Sequence, residues 1–368
     1  MDNFIVKYFL NYKSNAKSLF LLCLLPFLLV ACEDNKIEEF VDELGDDNEE
    51  SIVCEDVNSS AFKQIAYWSV SDEETLDEID FSMLTHIIYN KIGVGSSGGL
   101  ILPTGDDLDE FEEMIETAQN NCVIAMVSIG NASDTAFNAI AADDDALDNF
   151  RENLEELIDD YDLDGIDINW QFPEGDDEGD LFEALITEMQ DLADDESILL
   201  SYVVDTGQDD DATDDGVQAD VLDYGDFLNV LAINTTDDDD LHSSFEDAQE
   251  AIEYWNTRGV DESRLVLAIP VYSQGDGELS FSDIAEDDLD NACVDEARNV
   301  EDSDGNSYDE INYNGILTVI EKTEYAQSYA NGVILTSLEQ DYLSFSSYSL
   351  LLAVDWQVAG LTNSICNE

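Results

Sequence analysis

Residues 163–173 read Leu163-Asp164-Gly165-Ile166-Asp167-Ile168-Asn169-Trp170-Gln171-Phe172-Pro173, and the alternation within this stretch decides the fold. Successive side chains of an extended strand point to opposite faces. Asp167, Asn169 and Gln171 therefore share one face, and Ile168 and Trp170 share the other. That division fits the wall of a barrel. The apolar face packs beneath helices, and the polar face lines the interior at the C-terminal ends of the strands, where such barrels carry their sites.

Working outward, there are seven more short, β-rich apolar runs: Ile65–Val70, Thr85–Tyr89, Val123–Ile129, Ile198–Val204, Phe227–Ile233, Leu265–Val271 and Gly332–Leu335. With Gly165–Trp170 they make eight. Amphipathic helical patterns lie between them at Leu108–Ala118, Asn149–Tyr161, Leu181–Leu192, Ser244–Thr257 and Thr318–Tyr329. Eight β/α repeats over roughly 300 residues predict a single-domain α/β fold, the TIM (β/α)8 barrel. Ser273–Asn314 is a longer insertion before the last repeat.

The N-terminal residues follow different rules. Lys7, Lys13 and Lys17 precede an apolar run from Leu19 to Val30. The run is too short to cross a bilayer and has the layout of a secretory signal. It ends Leu29-Val30-Ala31-Cys32, which resembles a bacterial lipobox; an ordinary cleaved signal with an incidental cysteine is the rival reading. The expected organisation is a lipoprotein signal peptide over 1–31, a lipidated acidic tether over 32–60 and the barrel over 61–368. Lipid on Cys32 would attach the protein to a membrane without spanning it. The expected location is the outer membrane, as a lipoprotein of the cell envelope or surface.

Charge narrows the partners. The chain has 89 acidic and 11 basic side chains, a formal net charge of −78. Loss of residues 1–31 removes three lysines and one aspartate and takes it to −80. Such a surface repels nucleic acid and anionic lipid, which excludes both as partners. The hydrophobic fraction of 44% is that of a folded chain. Screening by concentrated salt relieves the self-repulsion, so the composition suits a saline habitat. Calcium binding by the Asp-rich loops is a rival, but no EF-hand spacing supports it. No cofactor motif is present, and two histidines, His86 and His242, exclude a histidine-rich metal site. Beyond Cys32, four cysteines remain: Cys54, Cys122, Cys293 and Cys366. Four allow three pairings. Cys54 with Cys366, near the two ends of the barrel segment, is the expected pair, and Cys122 is expected to be a buried free thiol.

The 163–173 stretch also resembles the strand-four signature of family 18 glycoside hydrolases, the chitinases and endo-β-N-acetylglucosaminidases. That family reads Asp-Gly-x-Asp-x-Asp-x-Glu across these positions. Tyr67-Trp68, Phe81 to Tyr89, Ser128-Ile129-Gly130, and Arg258-Gly259-Val260 followed by Leu265 to Tyr272 resemble other family segments in the family order. The likeness runs from Gln64 to about Val358. It implies that Gln171 stands where the family has the glutamic acid that protonates the leaving oxygen, and Asn169 where it has the carboxylate that orients the substrate's acetamido group. A general acid needs a titratable proton, and an amide has none.

Further departures are spread over other strands. Ile233-Asn234 stands at the family's strand-six Tyr-Asp pair, Thr336 at its strand-eight tryptophan, and Asn131 at the second glycine of strand three. No intact catalytic set remains among Asp167, Asn169, Gln171, Ile233 and Asn234. The resemblance therefore implies a non-catalytic glycan binder, recognising chitin fragments or an N-glycan core through Tyr67, Asp167, Asn169, Gln171, Tyr202, Asn234 and Tyr272. Two alternatives stay open: a residual glycosidase with Asp167 or Asp205 as its acid, and a scaffold without a sugar site, partnered by another envelope protein.

Overall fold

The computed structural model describes residues 54, 61–71, 75–130, 135–207, 216–233, 242–275, 278–343, 346–362 and 365–367. The expected signal peptide, Cys32 and all of the tether except Cys54 lie outside these residues, as do Asn131 and Asn234.

All eight apolar runs form strands: β1 (Lys63–Trp68), β2 (His86–Val94), β3 (Ile124–Gly130), β4 (Gly165–Asn169), β5 (Leu199–Val204), β6 (Phe227–Val230), β7 (Leu265–Pro270) and β8 (Gly332–Thr336). Each pairs in parallel with the next, and β8 pairs with β1, which closes the barrel. This is the expected TIM-barrel fold. The five anticipated helices are α1 (Asp106–Asn120), α2 (Asp144–Tyr161), α3 (Gly175–Glu196), α4 (Phe245–Arg258) and α5 (Ile316–Tyr329). A further helix, α6 (Leu350–Val358), follows β8. The insertion folds as a small antiparallel sheet, with Ser307–Asn312 paired to Glu296–Glu301 on one side and Gln274–Gly275 on the other.

Two apolar layers result from strand alternation. Inside the barrel, Ile65, Tyr67, Ile88, Met126, Phe227 and Val266 pack together. Outside it, the opposite strand faces pack under the helices; Trp170, fully buried, stacks on Phe137 at 5.3 Å and meets Phe182 edge-on. Acidic residues open the first turns of α1, α2 and α3, where the helix dipole favours them. The last turns of the same helices contain no basic residue, so the dipole is answered at one end only.

The disulfides correct the sequence reading. Cys54 bonds Cys122, and Cys293 bonds Cys366. Cys122 lies in the turn before β3 and is half-buried there, outside the strand that would have hidden a thiol. The first bond ties the end of the expected tether to the barrel. The second ties the insertion to the residues after α6. Cys54–Glu368 forms one compact unit.

His86 sits inside the barrel on β2, with Nδ1 2.7 Å from Thr85 Oγ1 and its ring edge-on to Phe227. Burial, and then the charge of Lys63, pull its pKa down to about 3. The folded state therefore keeps this ring neutral where the unfolded chain, near 6.5, takes up a proton. The stability so gained is complete above pH 6.5 and is lost as pH falls towards 3. Between pH 6.5 and 5, wild-type stability should fall by on the order of 1 kcal/mol relative to a His86→Phe variant. Thermal melts of both proteins across that window check this; parallel curves would contradict it.

Candidate functional site

Asp167 occupies the centre of the barrel and is fully buried. Its Oδ2 accepts hydrogen bonds from Tyr67 Oη on β1 at 2.9 Å and Ser128 Oγ on β3 at 2.7 Å. Its Oδ1 accepts from Ser201 Oγ on β5 at 2.7 Å and Asn229 Nδ2 on β6 at 3.0 Å. Asn229 Nδ2 also donates to Tyr67 Oη at 3.1 Å. One carboxyl group thus links five strands. Burial pushes its pKa up, and the four donors oppose that shift. Burial also holds the Tyr67 phenol far above its usual range, with the Asp167 charge adding to it. Tyr67 is consequently a partner of Asp167 with little open ring surface.

Above this network lies the mouth. Asn169, the last residue of β4, is 8% exposed, and its Oδ1 is buried with no hydrogen-bond donor among the described residues. Gln171, two residues on, is exposed. Asn169 follows the alternation that places Asp167 inside, and Gln171 lies past the end of β4. Asp164, at the start of the same signature, does a structural job: its Oδ2 accepts from Ala125 N at 2.8 Å. Ile233 packs against the interior cluster beyond the end of β6, and Thr336 closes β8 in a buried position. Tyr272 is half-buried just after β7, 5.2 Å from the His242 ring. Burial and Glu278 push its phenol up to about 12.

Tyr202 does not belong to the site. Its neighbour Ser201 reaches inward to Asp167, so Tyr202 points outward. It is fully buried among helix-facing residues, edge-on to Phe182, and its hydroxyl donates to Val221 O at 3.1 Å. Asp205, after β5, accepts at Oδ1 from Thr206 N, and its backbone carbonyl accepts from Trp255 Nε1 at 2.7 Å.

Two polar residues of the mouth escaped the sequence reading. Glu339, just beyond β8, accepts from Ser69 N at the end of β1 at 3.1 Å, and burial pushes its pKa up to about 7. Lys91 lies in an irregularity of β2, where the pairing with β3 skips from Asn90 to Ile92. Neither residue carries a periodic signal that a sequence would reveal.

The family profile of glycosyl hydrolases family 18 matches residues 63–339, and the chain belongs to that family. Among curated proteins, the probable chitinase 10 of Drosophila melanogaster is 26% identical over 54% of this chain, which spans only 10% of that protein's length. A chitinase-like agglutinin from Robinia pseudoacacia superposes with a TM-score of 0.68 at 20% identity, covering 80% of this chain and 99% of that one. A Glu→Gln mutant of the class V chitinase of Nicotiana tobaccum, in complex with NAG4, superposes at 0.66 with 18% identity, covering 81% and 99%. These structures share the fold.

The two strand-four positions should respond differently to mutation. Asp167→Asn puts an amide N–H among four donors and should destabilise the barrel by about 2–4 kcal/mol, because partners of a buried charged group are left unmatched. Gln171→Glu, at an exposed position, should leave stability within about 0.5 kcal/mol. Urea midpoints of the two variants against wild type check the contrast.

Proposed function

We propose that this chain is a non-hydrolytic, glycan-binding member of family 18 that holds N-acetylglucosamine-containing oligosaccharides at the barrel mouth. The observation that carries the reading is Asn169 Oδ1, a buried acceptor with no donor among the described residues, at the C-terminal end of β4 above an intact Asp167 network. A buried acceptor of this kind costs free energy until a donor meets it, and a sugar hydroxyl or acetamido N–H is such a donor. Gln171 offers a second amide at the rim.

Turnover lacks its acid. Gln171 has no proton to give, and Asp167 is enclosed by the hydroxyls of Tyr67, Ser128 and Ser201 and the amide of Asn229. A general acid must lie within hydrogen-bond reach of the leaving oxygen. The related Glu→Gln mutant in complex with NAG4 supports the idea that an amide-bearing barrel of this fold retains sugar. The agglutinin relative is named for a binding activity. Anchoring through Cys32 at an outer membrane, with the acidic surface suited to high salt, completes the proposal.

Incubation of the purified protein with the N-acetylglucosamine tetramer tests it. The expected result is saturable binding with the tetramer recovered at full length by mass spectrometry. An Asn169→Ala/Gln171→Ala double variant should bind at least about tenfold more weakly, the loss expected for two hydrogen-bonding groups of about 0.5–1.5 kcal/mol each. Shorter oligomers released by wild type and not by Asp167→Asn would instead favour a residual glycosidase.

A further inference from the structure

Cations are so scarce in this chain that the position of each one is informative. Seven Lys and Arg side chains fall within the described residues. Six have structural work. Arg151 is held by Glu155, Glu188 and Asp195, and Arg298 by Glu296 and Glu310. Arg258 donates to Val217 O, and Arg264 to the carbonyls of Leu222, Tyr224 and Gly225. Lys322, fully buried, donates to Ser243 and Asn314, and Lys63 lies over the Phe227 ring. Lys91 is exposed, and no hydrogen bond, ion pair or ring contact ties it to another described residue.

Its position is specific. The irregularity in β2 re-aims the chain at Lys91, as bulges beside binding sites do. A Cβ placed on Gly130, whose direction follows Ser128 into the barrel, would lie 3.0 Å from Lys91 Cδ and 3.3 Å from Asn169 Cβ. The lysine stem and the Asn169 side chain therefore flank the same glycine, and the glycine leaves the space that the stem crosses. An exposed lysine and a buried amide oxygen, neither paired with another described residue, thus belong to side chains that flank one glycine at the C-terminal end of the barrel, in a chain that is overwhelmingly acidic.

We propose that the saccharide held at the mouth is anionic. A carboxylate or sulfate on the sugar that meets Asn169, or on the adjoining sugar, pairs with Lys91. The inference rests on the glycan-binding reading and adds the charge of the ligand. An ammonium–anion contact is a charge-assisted hydrogen bond, stronger than the neutral contacts available to a plain chitin fragment. The acidic surface opposes an approaching anion at low salt. At 1 M salt the Debye length is about 3 Å, which screens that field while leaving a contact pair in place.

Calorimetric titrations in 1 M NaCl test the proposal with three probes: the neutral N-acetylglucosamine tetramer, a hyaluronan tetrasaccharide and a 6-O-sulfated N-acetylglucosamine oligomer. Wild type should bind at least one acidic probe tenfold or more tightly than the neutral tetramer. Whichever probe wins identifies carboxylate or sulfate as the source of the charge. Lys91→Met should erase that preference and leave neutral binding within twofold, and Lys91→Arg should restore it. Neutral binding equal to or tighter than acidic binding in wild type would overturn the anionic inference and leave glycan binding standing, as would a preference that survives Lys91→Met. Absence of binding to all three probes by folded protein would overturn both.

Discussion

The buried carboxyl group of Asp167 is the constraint around which the barrel interior is arranged. Four donors from β1, β3, β5 and β6 converge on it, and β4 supplies it, so five of eight strands are fixed in register by one side chain. A buried carboxyl is tolerated only where its oxygens are satisfied, and here each oxygen accepts two hydrogen bonds. This network also sets the height of Asn169. Two residues on from Asp167 along a strand, Asn169 must face the same interior and emerge at the rim. The mouth thus inherits its geometry from a group that is itself fully buried and enclosed by four donors.

Much of this was legible in the sequence because it follows from periodicity. Each apolar run became a strand, and the polar alternation at Asp167 and Asn169 became the inner face of β4, which ends before Gln171. Tyr202 was misplaced although the same rule covers it: once Ser201 points inward, its neighbour points outward. The strand's register was the missing datum, and two adjacent residues differ entirely in environment because of it. The cysteine pairings were not legible, since spacing along a chain does not say which surface points meet. Cys122 opened an apolar run, but the bond formed from the turn before it. Lys91 and Glu339 were missed for a related reason. One sits in an irregular step of β2 and the other beyond the end of β8, where no repeating pattern marks the side chain's direction.

On the proposed reading, the chemistry of the mouth is one of shape kept and protons removed. Amides at Asn169 and Gln171 retain the size and hydrogen-bonding reach of carboxylates, and neither can act as an acid. The apolar Ile233 and the small Thr336 leave fewer aromatic and polar contacts at the other side of the barrel. On the proposed reading, binding rests on few groups, which gives Lys91 disproportionate weight. Outside, the charge balance is reversed. The starts of α1, α2 and α3 are rich in Asp and Glu and their ends contain no basic residue, while the interior is organised around Asp167.

The most direct measurement of the central claim is a crystal structure of the protein soaked for days with the N-acetylglucosamine tetramer in concentrated salt. The account predicts an uncleaved oligosaccharide at the C-terminal mouth, with a sugar hydroxyl or acetamido N–H within hydrogen-bond distance of Asn169 Oδ1. Shortened sugars in that position, or a tetramer bound elsewhere with Asn169 still unpaired, would contradict it.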